Sequence, residues 1–388
     1  MKTSNFASTK YTGVYRRGAT FSFRISGVPR RGGTKGDLWK GGFRTAGEAR
    51  DARNETLTAL KHKTYVGPSK MTVAEFLIEK WLPGLSVRPS TRSSYEQIVE
   101  KQLVPRIGNH KLEELDAADL NRLYAELLTN GRKDGAGLSL KSVRNTHVVI
   151  RKALSDALRW GLLSRNVATL SDPPKHALHG SKELKTWDRT QLNAFLEGVK
   201  DDRLCAAYRL AAMTGMRRGE VLGLRWKDLD LENRRLAIRQ TLISIDYRIE
   251  FSSPKTKRSC RSVALDEATA STLRSHKSQQ ARERLRLGPA YEASDLVFTR
   301  EDGTPLHPDL FSDSFEKHAS RLGLDRIRLH DLRHTFATLG LQAGLHPKVV
   351  SETLGHASVA FTMDVYSHAI PSMQEEAAEV FAALIEGS

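Results

Sequence analysis

Cysteine is nearly absent: the 388 residues hold two, Cys205 and Cys260. Two thiols cannot build a disulfide framework, and they offer no zinc-finger spacing. No run of about 18 apolar residues occurs, so no membrane-spanning helix is expected. The N-terminus, MKTSNFASTKYTGVYRRG, lacks the apolar stretch of a secretory signal. No P-loop appears, which gives no reason to expect ATP, and no acidic cluster suggests Mg²⁺. Carboxylates are also scarce relative to cations: 45 Asp and Glu stand against 61 Lys and Arg, a net charge of +16. What remains reads as an intracellular chain for which neither metal nor cofactor is expected. Its positive excess points to a polyanion, most simply nucleic acid. The 39% of hydrophobic residues suffices for packed cores. The length suggests two or three domains, since single cores stop growing at roughly 250–300 residues.

The charge is unevenly spread. Residues 1–66 hold 14 Lys or Arg and 4 Asp or Glu, residues 67–181 hold 17 and 12, and residues 182–388 hold 30 and 29. The first sixth of the chain therefore carries most of the net charge. The last segment is balanced, so any binding there must come from placed residues rather than bulk charge.

Residues 11–16, 20–26 and 37–43 alternate apolar and polar side chains between glycine-rich turns, which predicts a three-stranded antiparallel sheet. Thr45 and Glu48 form a capping-box start for a helix to about His62. Cations interleave with aromatics here, as a DNA-contacting face requires. Arg16, Arg17, Arg24, Lys40 and Arg44 are the candidate contacts. Residues 72–170 read as four helices. Thr72 with Glu75 caps the first, Pro89-Ser90 opens the second, and residues 116–128 form the third, with Leu120, Leu123, Tyr124 and Leu127 on one stripe. Residues 139–160 form the fourth, with Val143, Val149, Leu154 and Leu158 apolar. Its polar side carries Lys141, Arg144 and Arg151, three further candidate DNA contacts. Asp172-Pro173-Pro174 and Gly180 mark a linker. Beyond it, helices are expected at 188–199, 202–224, 266–287, 308–322, 331–343, 347–354, 358–366 and 372–385, with a β-ribbon at 236–264. The fold class is a multidomain α+β chain: a small three-stranded sheet plus helix, a helical domain, and a mostly α domain with a β-ribbon.

Four segments of the last domain carry residues suited to chemistry. They are Thr214-Gly215-Met216-Arg217-Arg218-Gly219-Glu220, Ser253-Pro254-Lys255-Thr256-Lys257-Arg258, His330-Asp331-Leu332-Arg333-His334, and Leu354-Gly355-His356 with Tyr366 ten residues on. A lone helix arginine is usually a surface charge, and a lone buried histidine is usually core. Together, however, the four segments supply every part of one reaction. Arginines clamp a phosphate and neutralise its transition state. Histidines donate hydrogen bonds or move protons. A lysine protonates a leaving oxygen, and a tyrosine hydroxyl is a nucleophile. A tyrosine with its ordinary pKa of about 10 is only ~0.1% ionised at pH 7, so it needs cationic neighbours or a base.

In order and spacing these segments resemble the tyrosine recombinase (phage integrase) family, with its T-G-x-R-x-x-E, ribbon lysine, H-x-L-R-H-T-F-A-T and L-G-H…Tyr pattern. His330 to Thr338 reads HDLRHTFAT. The resemblance implies Arg217, Lys255, His330, Arg333 and His356 as activating residues and Tyr366 as nucleophile. It gives Glu220 a supporting role and His334 a structural one, with Lys257 the rival of Lys255. It implies an arm-type DNA-binding domain at 1–66, a helical core-binding domain at 67–175 and a catalytic domain at 182–388. It further implies double-stranded DNA as partner, a homotetramer on that DNA, a host DNA-bending protein and an excision factor as accessories, and a cytoplasmic, nucleoid-associated place in a bacterial host. The final helix would pack on its own domain or dock on a neighbouring protomer. Rival readings are a type IB topoisomerase, a metal-dependent nuclease using His330 and His334, and a non-catalytic DNA-binding regulator.

Overall fold

The computed structural model describes residues 6–29, 35–62, 70–175, 184–253, 260–356 and 358–366, with Ala382 and Ile385 singly. The chain divides into two compact units between Leu178 and His179. The expected final helix at 372–385 falls almost wholly outside the described residues.

The first unit opens with an antiparallel sheet in the order β1 (Ala7–Ser8), β2 (Val14–Arg17), β3 (Thr20–Pro29) and β4 (Lys35–Phe43). Three strands were expected and four form. The extra one is two residues long, pairing Ala7 with Arg16 and Ser8 with Tyr15, too short to show an alternating pattern. Val14, Phe23 and Ile25 point to one face and bury against α1 (Ala46–Lys61), which brings Ala49 and Leu57. Thr45 caps α1 by accepting from the Glu48 N–H. The Glu48 carboxylate, however, takes the Arg44 N–H at 3.0 Å, one residue earlier than a capping box requires.

A separate core forms among the helices that follow. Thr72 and Glu75 make both halves of a capping box on α2 (Val73–Glu75). α2 runs on through a wide i→i+5 turn, Phe76–Trp81, and α3 (Pro89–Ile98) through another, Val99–Leu103, into α4 (Val104–Ile107). Pro105 has no N–H to extend an ordinary ladder, and the turn before it is the widened one. α5 (Ala117–Asn130) buries the expected Leu120, Leu123, Tyr124 and Leu127, each worth roughly 1.5–3 kcal/mol of apolar transfer for the leucines. α6 (Leu140–Arg159) buries Val143, Val149 and Leu154. Leu158, expected on the same stripe, is 42% exposed. The helix's last turn instead turns Ala157 inward and ties Asp156 to the Trp81 indole N–H at 2.9 Å.

In the second unit, α7 (Arg189–Gly198), α8 (Cys205–Thr214), α9 (Arg218–Leu222) and α11 (Pro308–Arg321) surround an aromatic centre of Trp187, Phe195, Tyr208, Phe311 and Phe315. The expected ribbon is two pieces. β5 (Leu229–Asp230), β6 (Arg235–Ile238) and β9 (Arg261–Ala264) form one sheet, and β7 (Thr241–Ile245) with β8 (Arg248–Ser252) forms a hairpin. α10 (Glu267–Leu287), α12 (Asp331–Gln342), α13 (Pro347–Leu354) and α14 (Val359–Tyr366) complete the unit within a residue or two of their expected spans. No described helix is long and apolar enough to cross a membrane.

Candidate active site

The candidate residues sit where elements end. α8 stops at Gly215, whose φ of 61° lies in the left-handed region. A Cβ there would meet the Leu354 side chain at 2.5 Å and the Phe336 ring at 2.9 Å. The chain then extends and restarts as α9, which makes Arg217 the N-cap residue and frees its guanidinium from the helix surface. Arg217 donates to Glu220 twice, from its backbone N–H (3.0 Å) and from Nη1 (2.8 Å).

Glu220 is buried at 5% exposure. Burial alone pushes its carboxyl up, but hydrogen bonds and charge from Arg261 and Arg217 outweigh that and hold it below its ordinary value. Arg261, at the start of β9, was not singled out from the sequence. It donates Nη1 to Glu220 Oε1 (3.1 Å) and Nη2 to Oε2 (2.9 Å).

Arg333, in the first turn of α12, is 4% exposed. Its Nη1 donates to the Gly215 carbonyl (2.8 Å), 118 residues away in the chain, and its Nη2 to the Leu354 carbonyl (2.7 Å). Burial first, and the nearby Arg217 charge second, bring its pKa down to about 9. His330 is the cap residue of α12 rather than part of the helix, with helical dihedrals (φ −65°, ψ −25°), so it still lies close to the turn carrying Arg333. Its ring is 5.5 Å from that of His334. Burial, then His334 and Arg333, lower its pKa to about 4.

His356 follows Gly355, which is again left-handed (φ 67°). Its Nδ1 shares a hydrogen bond with Thr362 Oγ1 at 2.8 Å, and its pKa is lowered to about 4 by burial and by Arg333 and Arg217. Tyr366 ends α14 and is 1% exposed, packed among Ala337, Leu341, Val350 and Leu354. Its ring lies nearly parallel to that of His356 (8°, centroids 6.4 Å apart). Its hydroxyl shares a 2.7 Å hydrogen bond with His334 Nδ1. Burial pushes the phenol up to about 12, with the Arg333 charge opposing. His334, read from the sequence as structural, is thus the side chain that touches the phenolic oxygen. Lys255 and its rival Lys257 lie outside the described residues.

Glu220, Arg217, His330, Arg333, His356 and Tyr366 are therefore gathered around one place. Arg261 and Thr362 belong to the same network, and neither has a local sequence signal: one is a strand arginine among many, the other a helix threonine. Among the described residues, no group of three His, Cys, Asp or Glu side chains is gathered as a metal would need.

The candidate DNA contacts do not share one face. By strand alternation Arg17 and Arg24 point away from α1, where Phe6, Tyr15 and Trp39 also cluster. Tyr15 and Trp39 rings are 5.3 Å apart, and the Arg24 guanidinium lies 5.7 Å from the Trp39 ring while pairing with Asp37 at 2.5 Å. Arg16 alternates with Val14, and Lys40 pairs with buried Phe23, so both belong to the helix side of the sheet, although both are exposed. Arg44 is exposed beside the α1 cap. Lys141 and Arg151 are exposed on α6, and Arg144 donates to the Pro174 carbonyl at 3.2 Å.

Comparison with known proteins places this arrangement. The phage integrase family model matches residues 183–373, and the model of the phage integrase N-terminal SAM-like domain matches residues 72–128. The ICEBs1 integrase of Bacillus subtilis is 30% identical over 277 residues, covering 70% of this chain and 74% of that protein. A tyrosine recombinase XerC-like protein of Caldanaerobacter subterraneus subsp. tengcongensis is 26% identical over 357 residues, covering 87% and 89%. Among solved structures, the Tn1549 transposon integrase in complex with transposon right end DNA has the same fold, with a TM-score of 0.64 and 21% identity over 81% of this chain and all of that one. A lambda integrase dimer bound to a core site matches with a TM-score of 0.55 and 16% identity, over 76% and 95%. The chain belongs to the phage integrase family: it is a tyrosine recombinase, a site-specific DNA strand-transfer enzyme.

Proposed function

We propose that Tyr366 is the nucleophile with which this recombinase cuts and rejoins DNA, integrating and excising a phage or other mobile element. The observation that carries the reading is the convergence on Arg333, whose two terminal nitrogens reach the carbonyls of Gly215 and Leu354 beside the Arg217 and His356 turns. Arg217 and Arg333 clamp the scissile phosphate and neutralise the charge that develops on its oxygens. His330 and His356 are uncharged at neutral pH and can donate one hydrogen bond each to those oxygens.

With its pKa near 12, roughly 10⁻⁵ of the phenol is ionised at pH 7. The hydroxyl must therefore give up its proton as it attacks, and a neutral imidazole of the site takes it. The phenolic oxygen bonds to phosphorus, the bond to the 5′ oxygen breaks, and that oxygen takes a proton from Lys255. The freed 5′-hydroxyl then attacks the 3′-phosphotyrosyl link of the partner duplex and returns its proton to Lys255, while the phenolic oxygen leaves and takes back the proton held by the imidazole. The ester is exchanged rather than hydrolysed, so no ATP is consumed.

Double-stranded DNA is the partner. Neighbours of this fold were solved on DNA, and the first 66 residues carry a net +10. We assign residues 1–66 to distal arm sites, 67–175 to the core site and 182–388 to catalysis. Two duplexes require four cleavages and hence four protomers, with a host DNA-bending protein and an excision factor as accessories. The test is to trap the protein on a nicked suicide duplex and identify the modified residue by mass spectrometry. An adduct on Tyr366 that vanishes in Tyr366→Phe, with DNA affinity intact, is expected; an adduct elsewhere would refute the assignment. Transfer of strands between two labelled duplexes separates a recombinase from a topoisomerase.

A further inference from the structure

The end of α13 poses an accounting problem. A helix leaves its last four carbonyls without intrahelical partners, and here these belong to Ser351, Glu352, Thr353 and Leu354. The His356 N–H takes the Ser351 carbonyl and the Gly355 N–H takes that of Glu352, each at 3.0 Å. The other two go to guanidiniums: Arg333 Nη2 takes Leu354, and Arg261 Nε takes Thr353 at 2.6 Å. Arg261 thus spends its Nε edge on the helix that delivers His356 and both its terminal nitrogens on Glu220, the carboxylate that fixes Arg217. Its side chain is 7% exposed and that of Glu220 is 6%. The contact with the turn is close as well. A Cβ at Gly355 would lie 3.0 Å from Arg261 Nη1 and 3.2 Å from its Cδ.

We propose that Arg261 is a positioning residue for strand transfer: one planar guanidinium locks the Arg217 cap and the His356 turn at a fixed separation. It touches neither nucleophile nor phosphate in this role. It sits at the start of β9. Only arginine suits the place. A lysine has a single point of charge and cannot grip both carboxylate oxygens and a carbonyl in one plane. The inference rests on the catalytic reading above.

The experiment compares wild type, Arg261→Lys and Arg261→Gln by single-turnover adduct formation on a nicked suicide duplex. DNA affinity and thermal melting are measured in parallel. Arg261→Lys should melt cooperatively and bind DNA as wild type does, yet form the adduct roughly 10- to 100-fold more slowly at saturating DNA, the loss expected when reacting groups shift by an ångström or so. The penalty should shrink in a His356→Ala background, where one of the groups that Arg261 positions is already gone. A wild-type rate in Arg261→Lys would overturn the proposal. So would a deficit that disappears as DNA is raised, or a penalty of undiminished size in His356→Ala. If neither variant melts cooperatively, Arg261 is a support of the fold and the proposal also fails. A wild-type protein that forms no adduct would be a different failure, that of the catalytic reading itself.

Discussion

Replacing Glu220 with glutamine tests the electrostatic frame of the site. Oε1 accepts from Arg217 Nη1 and Arg261 Nη1, and Oε2 from the Arg217 backbone N–H and Arg261 Nη2. An amide keeps one oxygen and turns the other into a donor. Whichever way it is flipped, two donors then face an NH₂ group, and two hydrogen bonds to a charged acceptor are lost. At about 1.5–3 kcal/mol for each such bond, the cost is about 3–6 kcal/mol. Breaking a buried ion pair costs about 3–5 kcal/mol by itself, and the 41% exposure of the Arg217 side chain favours the lower half of the range. In a domain of this size each kcal/mol moves Tm by about 2–4 °C, so Glu220→Gln should melt about 6–18 °C below wild type at pH 7. The gap should also depend on pH. The folded carboxyl is held below its ordinary pKa, so its contribution is complete above the unfolded value of about 4.3 and is lost as pH falls through the folded value. The two melting curves should therefore converge in acid. Equal Tm values at pH 7, or a gap that persists unchanged at the acid end, would refute the account of Glu220 as a buried anion held by two arginines.

Three further outcomes follow from the same geometry. The unfolded chain takes protons on histidine near pH 6.5, whereas folded His330 and His356 resist until about 4. Melting temperature without DNA should thus be flat above pH 7 and fall between about 6.5 and 4, and a His330→Gln/His356→Gln double variant should flatten that slope. Removing residues 1–66 should spare cleavage of core-site DNA and abolish binding to distal sites in a gel-shift titration; loss of core cleavage in a protein that still melts cooperatively would count against the arm assignment. Cleavage measured in excess EDTA should proceed at the untreated rate, and its loss would favour a metal-dependent nuclease.

Much of this was legible in the sequence because it is local. The Thr72–Glu75 box, the α5 stripe and the break at Gly215 each follow from neighbours within a few residues, and the structure reproduces all three. The motif segments could be named because their spacing is local too. What escaped depends on partners far away in the chain. Nothing near Arg261 signals that its guanidinium will close on a carboxylate 41 residues upstream and a carbonyl 92 residues downstream. The contact of His334 with Tyr366, 32 residues on, has no local signal either. The side of the sheet on which Arg16 and Lys40 lie was hidden for another reason. Composition counts cations, but only strand register decides which face of a two-sided sheet each one takes. The first strand was missed because two residues of edge pairing leave no period to detect.

The distribution of charge bears on how a nearly neutral segment would hold a phosphate, as the proposed function requires. Residues 182–388 have one more cation than anion, so their field at a distance is weak. Locally the balance is different. Three guanidiniums, Arg217, Arg261 and Arg333, surround the buried carboxylate of Glu220, while buried Asp331 acts on the histidines and is held by Arg328. Burial makes that imbalance costly, which is visible in the lowered pKa of Arg333 and in the two histidines driven uncharged. The arginines keep the positive charge because guanidinium is the last of these groups to give up its proton, while the imidazoles remain neutral and free to accept one. In the proposed reaction, charge stabilisation and proton transfer thereby fall to different side chains. An incoming phosphate relieves the repulsion among the arginines, so part of the energy that folding spends in bringing them together returns when DNA binds. The free protein should consequently be less stable than its charge-balanced sequence suggests, and DNA carrying the scissile phosphate should raise its Tm more than the same duplex with a neutral methylphosphonate at that position. Equal shifts from the two duplexes would show that the arginines are already fully compensated without the phosphate, and the division of labour would lose its physical basis.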